Sequence, residues 1–422
     1  MARIKRLKVA VLVDHRPNHP GEVGGLAGTW EQLSRVVAET MALELTVFFL
    51  GDEPRVAQVG ENVRHVQVRP AMGTERLPFL SGIPTKTDLA PFHPSLFGRL
   101  GGFDVLHTTD AFHAFAKTAL WRSRFYGIPL ATSIQTDIIA WARIYTPGIL
   151  QRILPGRSLV RWLLEDYRYL ERQERSMRRR LGRYLRRCQA VFVSHRRDEE
   201  MVRLLAPSAF TSFLRRGIDL NLFHPSRRER ESLHRRFGVP LHCPLLLFVG
   251  RIDPVKGAVL AARVVRGLLD RGRAAHLLLV GDGSQRQEVA RVLGPHATFT
   301  GNLPHEELGW IYASADLLLF PSEAEVWPNV VMEARACGIP VMACEKGAAH
   351  VMEGRGRDGI LLPDRDPEGW LSAAEALLDR PDEMKEMGLR ARQVMEGEAP
   401  SWSQVLEEDL LPVWRRIAGS TG

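Results

Sequence analysis

The stretch "DLLLFPSEAEVWPNVVMEARACGIPVMACE" (316–345) decides the fold of this chain. An apolar run of strand length comes first, a polar loop and a helix of small residues follow, and a second apolar run, "IPVMACE", closes the stretch. Continuous apolar runs that alternate with amphipathic helices are typical of a parallel sheet covered on both faces. The stretch therefore predicts one strand–helix–strand unit of an α/β domain.

The same alternation continues in both directions along the chain. Strands are predicted at "KVAVLVD", "LELTVFFLG", "FDVLHTT", "PLATSIQTD" and "AVFVSH" in the first half, and at "PLLLFVG", "HLLLVGDG", "ATFTGNL", "DLLLFP", "IPVMACE" and "GILLP" in the second. Between the two series lies a polar segment bracketed by prolines (223–243), where we place a linker. We predict two doubly wound, Rossmann-like α/β domains, 1–222 and 244–401, with a cleft between them and an amphipathic helix at 402–422 that packs back on the first.

Length and composition narrow the class of protein. A chain of 422 residues is too long for one ordinary core, and it has no apolar run near the ~18 residues that a membrane-spanning helix needs. The first apolar run ends at Asp14, too early for a signal peptide. The four cysteines have neither metal-ligand nor redox spacing, which favours buried, reduced thiols. We therefore expect a cytoplasmic protein.

The loop after "DLLLFP" carries the residues that indicate a ligand. Ligands of doubly wound domains bind outside the carboxyl ends of the strands. We predict that a helix begins near Pro328, which would direct three backbone N–H groups at an anion; these groups belong to Asn329, Val330 and Val331. Glu325 and Glu333 lie on either side of this helix end and would accept hydrogen bonds from hydroxyl groups. A nucleotide sugar, with hydroxyls on both sides of a diphosphate, has this layout.

Further motifs extend the pattern over nearly the whole chain. They are "RRGIDLNLFHP" (215–225), "GRIDPVKG" (250–257), "LLLVGDG" (277–283), "FTGNLPHEEL" (299–308), and Glu325 and Glu333 with seven residues between them, followed by "ARACGIPV". In this order and spacing they resemble glycosyltransferase family 4, whose fold is GT-B. The resemblance implies transfer of a sugar from a nucleotide diphosphate sugar to an acceptor hydroxyl, with retention of the anomeric configuration.

The resemblance also implies roles for individual residues. Arg251 and Lys256 would stabilise the departing diphosphate, Glu325 would contact the donor sugar, and Glu333 would contact the ribose. Three further residues are donor-site candidates: Gly24 and Gly25, whose backbone would approach the phosphate, and Leu303, which would lie near the base.

The acceptor side departs from the family pattern. Where many relatives carry a histidine triplet, this chain has Gln135, Thr136 and Asp137. Glutamine takes up no proton at neutral pH, but Gln135 can still bond a sugar hydroxyl, and Asp137 is expected to face the acceptor. His107 and His113 are nearby alternatives, although His107 reads equally as the end of a core strand.

We predict no metal or other cofactor. The Asp-x-Asp pair at 364–366 is a motif that binds metal in another transferase fold, but Asp366 here precedes a proline-initiated helix, which favours a role as N-cap. With two cations and a helix end available, the leaving group has its charge stabilised without a metal. We expect the leaving phosphate to take the proton of the attacking hydroxyl.

Residues 151–187 hold twelve arginines against four acidic residues, an excess equal to the net charge of +8 of the whole chain. Apolar residues recur there at near-helical spacing. One interpretation is a surface helix attracted to anionic lipid on the inner face of the membrane, with a lipid or lipid-linked acceptor. The other is a solvated helix face, with a soluble or polysaccharide acceptor. Two further alternatives are disfavoured: a nucleic-acid binder, which predicts aromatics among the arginines, and a nucleotide-sugar epimerase, against which the two glutamates argue.

Overall fold

The computed structural model describes residues 6–17, 25–41, 43–80, 86–135, 138–154, 156–323, 325, 327–352 and 357–419. The chain divides into two compact units. The described parts of 6–17, 26–215 and 402–419 belong to the first, and those of 216–401 to the second. Each unit is a doubly wound α/β layer structure of the predicted class.

The first unit is built on an eight-stranded sheet. Its strands are β1 (Lys8–Val13), β2 (Glu44–Leu50), β3 (Arg55–Gly60), β4 (Val63–Val68), β5 (Val105–Thr108), β6 (Leu130–Ser133), β7 (Ala190–Val193) and β8 (Thr211–Phe213). Their order is β3-β4-β2-β1-β5-β6-β7-β8, and only the β3–β4 pair is antiparallel among the described pairs. The carboxyl ends of β1, β5 and β6 therefore lie side by side at one edge.

Helices cover both faces of this sheet. They are α1 (Gly25–Thr40), α2 (Pro94–Arg99), α3 (Ala114–Tyr126), α4 (Ile138–Ile153), α5 (Arg157–Glu165), α6 (Tyr169–Leu185) and α7 (Arg196–Leu205). Along β1, Val9, Val11 and Val13 enter one core while Ala10 and Leu12 enter the other. Because both faces of the strand are buried, its sequence is a continuous apolar run and not an alternating one.

The second unit has a six-stranded parallel sheet in the order β11-β10-β9-β12-β13-β14. Its strands are β9 (Leu245–Val249), β10 (His276–Val280), β11 (Ala297–Gly301), β12 (Leu317–Phe320), β13 (Val341–Cys344) and β14 (Ile360–Leu362). Its helices are α8 (Arg230–Phe237), α9 (Ala258–Asp270), α10 (Arg286–Leu293), α11 (Leu308–Ser314), α12 (Asn329–Ala336), α13 (Glu345–Ala348), α14 (Pro367–Leu378) and α15 (Pro381–Glu398). All six strands predicted here are present, and β9 and β12 are neighbours, so their exit loops share one edge.

Two features differ from the sequence-based expectation. The strands β3, β4 and β8 were not predicted, because β3 and β8 lack buried apolar runs and β4 alternates. Residues 223–243, predicted as a linker, contain α8, and Phe223, Leu233 and Val239 are buried in a core of the second unit. The segment thus packs with its own unit because its few apolar residues find that core.

The C-terminal segment lies on the first unit. It runs through Trp402–Gln404, a π-helical stretch at Val405–Leu410 and the helix α16 (Leu411–Gly419). Its apolar residues, among them Val405 and Trp414, join the core that β1 and α1 form. Asp409 accepts hydrogen bonds from the backbone N–H of Arg215 at 2.8 Å and from its side chain, which ties the segment to the end of β8.

In the part of the chain that the structure describes, every helix falls short of the length and hydrophobicity that crossing a bilayer requires.

Candidate functional site

The loop that leaves β9 places two cations beside two carboxylates. Asp253 organises this loop, because its Oδ1 accepts the backbone N–H of Lys256 at 3.0 Å and its Oδ2 lies 3.4 Å from Nε of Arg251. The side chains of Arg251 and Lys256 keep 35% and 23% of their surface exposed. Both predicted cations therefore lie at the carboxyl edge of the sheet and within reach of a ligand.

Glu325, in the exit loop of β12, reaches the same place. Its Oε1 forms an ion pair with Nζ of Lys256 and accepts a hydrogen bond from Oγ of Ser322 at 2.6 Å. The structure thus brings together Lys256 and Glu325, which lie 69 residues apart in the chain. The pairing is one that a ligand carrying both an anionic and a hydroxyl group would exchange for its own contacts.

A residue that the sequence analysis missed fastens the two loops. Nε of Arg365 donates to the carbonyl oxygen of Pro321 at 2.7 Å, and its two terminal nitrogens donate to the carbonyl oxygens of Pro254 and Val255. One guanidinium therefore holds the β9 loop and the β12 loop together. Its place in the chain, next to Asp366 before a helix, gives no signal of that role.

The start of α12 corrects one detail of the predicted anion site. The helix begins at Asn329, with Pro328 as its N-cap and not as its first helical residue. The N–H of Asn329 donates to the carbonyl oxygen of Trp327 at 3.1 Å, and that of Val331 to the carbonyl oxygen of Pro328 at 3.0 Å. Two of the three N–H groups expected to face a ligand are therefore engaged locally, since the chain turns sharply at the proline.

Glu333 lies one turn further into α12 and is only 5% exposed. Its Oε1 is 2.9 Å from Nε2 of His305, and its Oε2 accepts the hydroxyl of Tyr312 at 2.8 Å. Burial, and then the neighbouring carboxylate, raise the pKa of Tyr312 well above its usual value, so the phenol stays protonated and donates. Both partners were missed from the sequence, although His305 lies inside the quoted "FTGNLPHEEL" motif.

Backbone geometry explains two glycines near the strand ends. Gly281, after β10, has φ +133°, and a Cβ there would collide with the carbonyl oxygen of Gly250. Gly25, the first residue of α1, has φ +81° and open space around it. Its predicted neighbour Gly24 lies outside the described residues. The side chain of Leu303 is buried in the core, so any contact of this residue with a base would come from its backbone.

On the first unit, Gln135 follows the end of β6 and is 8% exposed. Among the described residues, neither polar atom of its side chain has a hydrogen-bond partner. The other acceptor-side candidate, Asp137, lies outside the described residues. His107 is fully buried, accepts the indole N–H of Trp414 at 3.1 Å and stacks on Phe192, so it is a core residue, and burial lowers its pKa to about 3.

A further ionisable cluster lies at the same edge of the first sheet. Asp14, Asp110 and His113 place ligand-type atoms within 4.8 Å of one another, the one such group with metal-like spacing among the described residues. Burial raises the pKa of Asp14 to about 7. Burial opposes ionisation of the other two, but their mutual attraction prevails and sets the pKa of Asp110 at about 2 and that of His113 at about 9.

These shifts predict how the stability of the protein depends on pH. Asp14 and His113 bind protons more tightly when folded, so their stabilising contributions decline as pH rises through about 7 and about 9 respectively. Asp110 binds its proton less tightly when folded, so its stabilising contribution is fully present above pH 4 and is lost as pH falls towards 2.

Burial also lowers the pKa of His65, His107 and His276 to about 4, about 3 and about 4, so these three residues add stability as pH rises towards 6.5. We therefore expect the effect of the cluster in the difference between the parent and a cluster variant, where each unit of pKa shift corresponds to about 1.4 kcal/mol.

Urea unfolding followed between pH 4 and pH 9 measures this dependence. The free energy of unfolding of the parent minus that of Asp14→Asn should fall as pH rises from 4 to 7, because the amide does not titrate. A difference that stays constant or rises over that range would contradict the assignment.

One sequence-based interpretation is confirmed, and the burial expected for the cysteines is found for three of the four. The side chain of Asp366 caps α14 by accepting the N–H groups of Glu368 and Gly369, so it acts as the predicted N-cap. All four cysteines are free; Cys243 is half-buried and the other three are buried.

The basic segment 151–187 is not one helix. It comprises the end of α4, then α5 and α6, with breaks at Gly156 (φ +96°) and Arg168 (φ +50°). Trp162 and Tyr167 are 49% and 39% exposed and stack at 5.6 Å, with the guanidinium of Arg172 over Tyr167. Tyr167 directly precedes the break at Arg168, and its ring is exposed.

The second half of the segment separates a packed face from a charged one. Leu181, Tyr184 and Leu185 are buried in the core of the first unit. Arginines fill the exposed face, and they are Arg172, Arg175, Arg178, Arg179, Arg180 and Arg183. Since Tyr184 is buried, it offers no ring to a nucleic-acid base, whereas the rings of Trp162 and Tyr167 are exposed.

Comparisons with known proteins bear on both units. Residues 243–380 match the family model described as Glycosyl transferases group 1. The chain is 26% identical to D-inositol 3-phosphate glycosyltransferase 1 of Catenulispora acidiphila, over 95% of this chain and 93% of that protein. It is 28% identical to the GDP-mannose-dependent alpha-mannosyltransferase of Mycolicibacterium smegmatis, over 95% and 96%.

Other similarities are more local or concern the fold alone. Inositol phosphate glycosyltransferases of Corynebacterium kroppenstedtii and Nocardia farcinica are 34% identical to this chain, but the alignments cover only 42% and 44% of those proteins. The solved sucrose-phosphate synthase of Thermosynechococcus elongatus has a TM-score of 0.72 at 18% identity, covering 98% of this chain and 100% of that one.

Proposed function

We propose, from the match of residues 243–380 to the group 1 glycosyl transferases, that the protein transfers a sugar from a nucleotide diphosphate sugar to an acceptor hydroxyl with retention of configuration. The enzyme class and the GT-B fold agree with the sequence-based prediction. The roles of single residues, the stereochemistry and the acceptor are part of the proposal.

The proposal rests on the exit loops of β9 and β12, which Arg365 holds together. Charge develops on the diphosphate as the bond to the anomeric carbon breaks, and fixed cations at that point stabilise the transition state. Arg251 and Lys256 supply those cations. Glu325, released from its ion pair with Lys256, accepts hydrogen bonds from hydroxyls of the donor sugar.

His305 and Tyr312 hold the carboxylate of Glu333 in place, and there it accepts hydrogen bonds from the hydroxyl groups of the ribose. Each of its oxygens has one protein partner and lone pairs to spare for hydroxyl groups of the nucleotide. The acceptor oxygen attacks the anomeric carbon from the side that the diphosphate leaves. The leaving phosphate takes the electron pair of the broken bond and the hydroxyl proton, so the step needs no metal ion.

The acceptor is assigned to the first unit and to a lipid surface. Exposed Trp162 and Tyr167 next to a row of exposed arginines form an amphipathic surface of the kind that lies at a membrane interface. The arginines attract anionic headgroups by roughly 1 kcal/mol each, and the aromatic rings suit the headgroup level. We propose peripheral binding of this surface and an acceptor with its hydroxyl at the membrane.

Donor binding tests the function without knowledge of the acceptor. GDP-mannose, the donor in the name of one relative, and UDP-glucose are offered to the protein with and without EDTA. A ligand bound by the native state alone at a hundredfold excess over Kd adds about 2.7 kcal/mol to the free energy of unfolding. We expect a raised melting temperature with at least one nucleotide sugar, unchanged by EDTA, and none with free mannose or glucose.

No stabilisation by either nucleotide sugar or by their nucleoside diphosphates would contradict the proposed function. Stabilisation that requires added manganese or magnesium would contradict its metal-independent form.

A further inference from the structure

Three ionisable side chains meet at the carboxyl edge of the first sheet. Asp14 directly follows β1, Asp110 lies two residues after β5, and His113 immediately precedes α3. Because β1 and β5 are neighbours, their exit residues come together, and the ligand-type atoms of the three lie within 4.8 Å of one another. Gln135 lies two residues beyond β6, the next strand at this edge.

Backbone N–H groups hold the two carboxylates in place. Asp14 accepts the N–H of Asp88 on Oδ1 at 3.0 Å and that of Phe115 on Oδ2 at 3.2 Å. Asp110 accepts on Oδ1 alone, from the N–H of Phe112 at 2.7 Å, the N–H of His113 at 2.9 Å and the ring of His113 at 3.2 Å. One oxygen of Asp110 thus fixes the start of α3, and the other is not used for that purpose.

That second oxygen lacks a partner. Asp110 is 9% exposed, and within the described part of the chain its Oδ2 has no hydrogen bond; the same holds for both polar atoms of the Gln135 side chain. A buried polar atom left unsatisfied costs about 1–3 kcal/mol, and more when it is charged. A carboxylate oxygen accepts a hydrogen bond from a hydroxyl group, and a primary amide can both donate to and accept from one. Two neighbouring hydroxyl groups of one ligand could therefore supply the missing hydrogen bonds of both side chains.

We propose that Asp110 and Gln135 form the binding site for the acceptor, and that the acceptor presents a ring with neighbouring hydroxyls, a sugar or a cyclitol. One hydroxyl donates to Oδ2 of Asp110, and its neighbour bonds the amide of Gln135. His113 is a positioning residue that keeps Asp110 ionised and oriented. This inference rests on the proposed function and names the acceptor chemistry for it.

The charge of the cluster favours a hydroxyl ligand over a metal ion. Attraction by Asp110 outweighs burial and holds the pKa of His113 at about 9, so at neutral pH the imidazolium has no lone pair for a cation and itself balances one carboxylate. Asp14 uses both oxygens on backbone N–H groups, and Lys117 on α3 adds further positive charge beside His113.

The test compares Asp110→Asn with Asp104→Asn. Asp104 lies at the opposite end of β5, where it accepts the N–H of Lys8 at 2.8 Å, so the control removes the same charge from the same strand at the other edge of the sheet. GDP-mannose and UDP-glucose serve as donors, and methyl α-D-mannoside and D-inositol 3-phosphate, the latter from the name of a relative, as acceptors. Transfer to acceptor and release of nucleoside diphosphate to water are measured separately.

For Asp110→Asn we expect kcat/KM for the acceptor to fall about 10- to 100-fold, as for loss of a hydrogen bond to a charged group. The KM for the donor and the rate of donor hydrolysis should stay within about twofold of the parent, and the control should match the parent throughout. Gln135→Ala, which breaks no bond to a described residue, should show the same loss with an unchanged melting temperature, so the test does not depend on the folding of one variant.

The pH dependence of kcat/KM for the acceptor tests the positioning role of His113. In His113→Gln the carboxyl of Asp110 loses its charged partner, so kcat/KM for the acceptor should decline at a higher pH than in the parent, whose pKa for Asp110 is about 2. Identical acid limbs in parent and variant would overturn the positioning role.

Unchanged acceptor kinetics in both Asp110→Asn and Gln135→Ala would overturn the inference, including the case in which Asp110→Asn only lowers the melting temperature. If zinc or manganese alone stabilises the parent but not Asp110→Asn, the cluster binds a cation and the proposed acceptor site is wrong. If the parent releases no nucleoside diphosphate at all, the proposed function itself fails, and the inference with it.

Discussion

Replacing Arg251 or Lys256 by alanine is expected to lower turnover by roughly 10²–10³-fold, the size of effect seen when one preorganised donor to a developing negative charge is lost. Both side chains are partly exposed at the β9 exit loop and held beside Asp253 and Glu325. The loss should appear mainly in kcat, because the charge that they stabilise is largest as the diphosphate departs. Steady-state release of nucleoside diphosphate measures it.

Matched controls keep this prediction specific. Arg263, exposed on α9, and Lys385, exposed on α15, carry the same charges away from the loops. Arg263→Ala and Lys385→Ala should retain the turnover of the parent. If Arg251→Ala and Lys256→Ala also retain it, the diphosphate is held elsewhere and the proposed donor site is wrong.

Changing Arg178, Arg179 and Arg180 to glutamine should weaken binding to anionic vesicles by about a hundredfold. Each basic residue near the surface contributes roughly 1 kcal/mol, and every 1.4 kcal/mol is a factor of ten in affinity. Arg178 is paired with Glu174 at 2.9 Å, which reduces its share. The attraction acts within a Debye length of about 8 Å at physiological salt, so binding should also weaken steeply as salt is added.

The control for that experiment removes three charges from the second unit. Arg235, Arg236 and Arg291 are exposed there, and their triple change to glutamine gives the same net charge as the test variant. Sedimentation with phosphatidylserine-containing vesicles compares the two variants. If both variants and the parent bind the vesicles equally at low salt, the proposed membrane binding is wrong. A soluble acceptor would then be the better proposal.

The sequence predicted most of the fold because both sheets are mostly parallel and mostly buried. Strands such as β1 and β9 are recognisable as continuous apolar runs, since neither of their faces meets water. The edge strand β3, with an exposed pattern, carries no such signal. The prediction of a single helix over 151–187 was wrong, because the chain breaks at Arg168, where a non-glycine residue adopts the left-handed region. No local sequence pattern indicates such a conformation.

The sequence analysis picked out candidate site residues that lie within local motifs, and it missed residues whose contacts depend on the topology. Arg251, Lys256, Glu325 and Glu333 lie within recognisable motifs, and their roles stay predictions. The groups that position them come from other elements, such as Arg365 at the start of α14 and Tyr312 on α11.

The cluster of Asp14 with Asp110 could not be predicted from the sequence for the same reason. The two residues lie almost a hundred positions apart in the chain and meet only because β1 and β5 are neighbours in the sheet. A pattern read along the sequence cannot place them together before the strand order is known.

Proton NMR of one reaction mixture tests the central claim most directly. The parent is incubated with GDP-mannose or UDP-glucose and an acceptor, and the anomeric signals are followed as nucleoside diphosphate accumulates. We expect the donor signal to be replaced by a glycoside signal of the same anomeric configuration, with one nucleoside diphosphate released for each sugar transferred. A glycoside of inverted configuration, or an isomerised nucleotide sugar without release of nucleoside diphosphate, would contradict it.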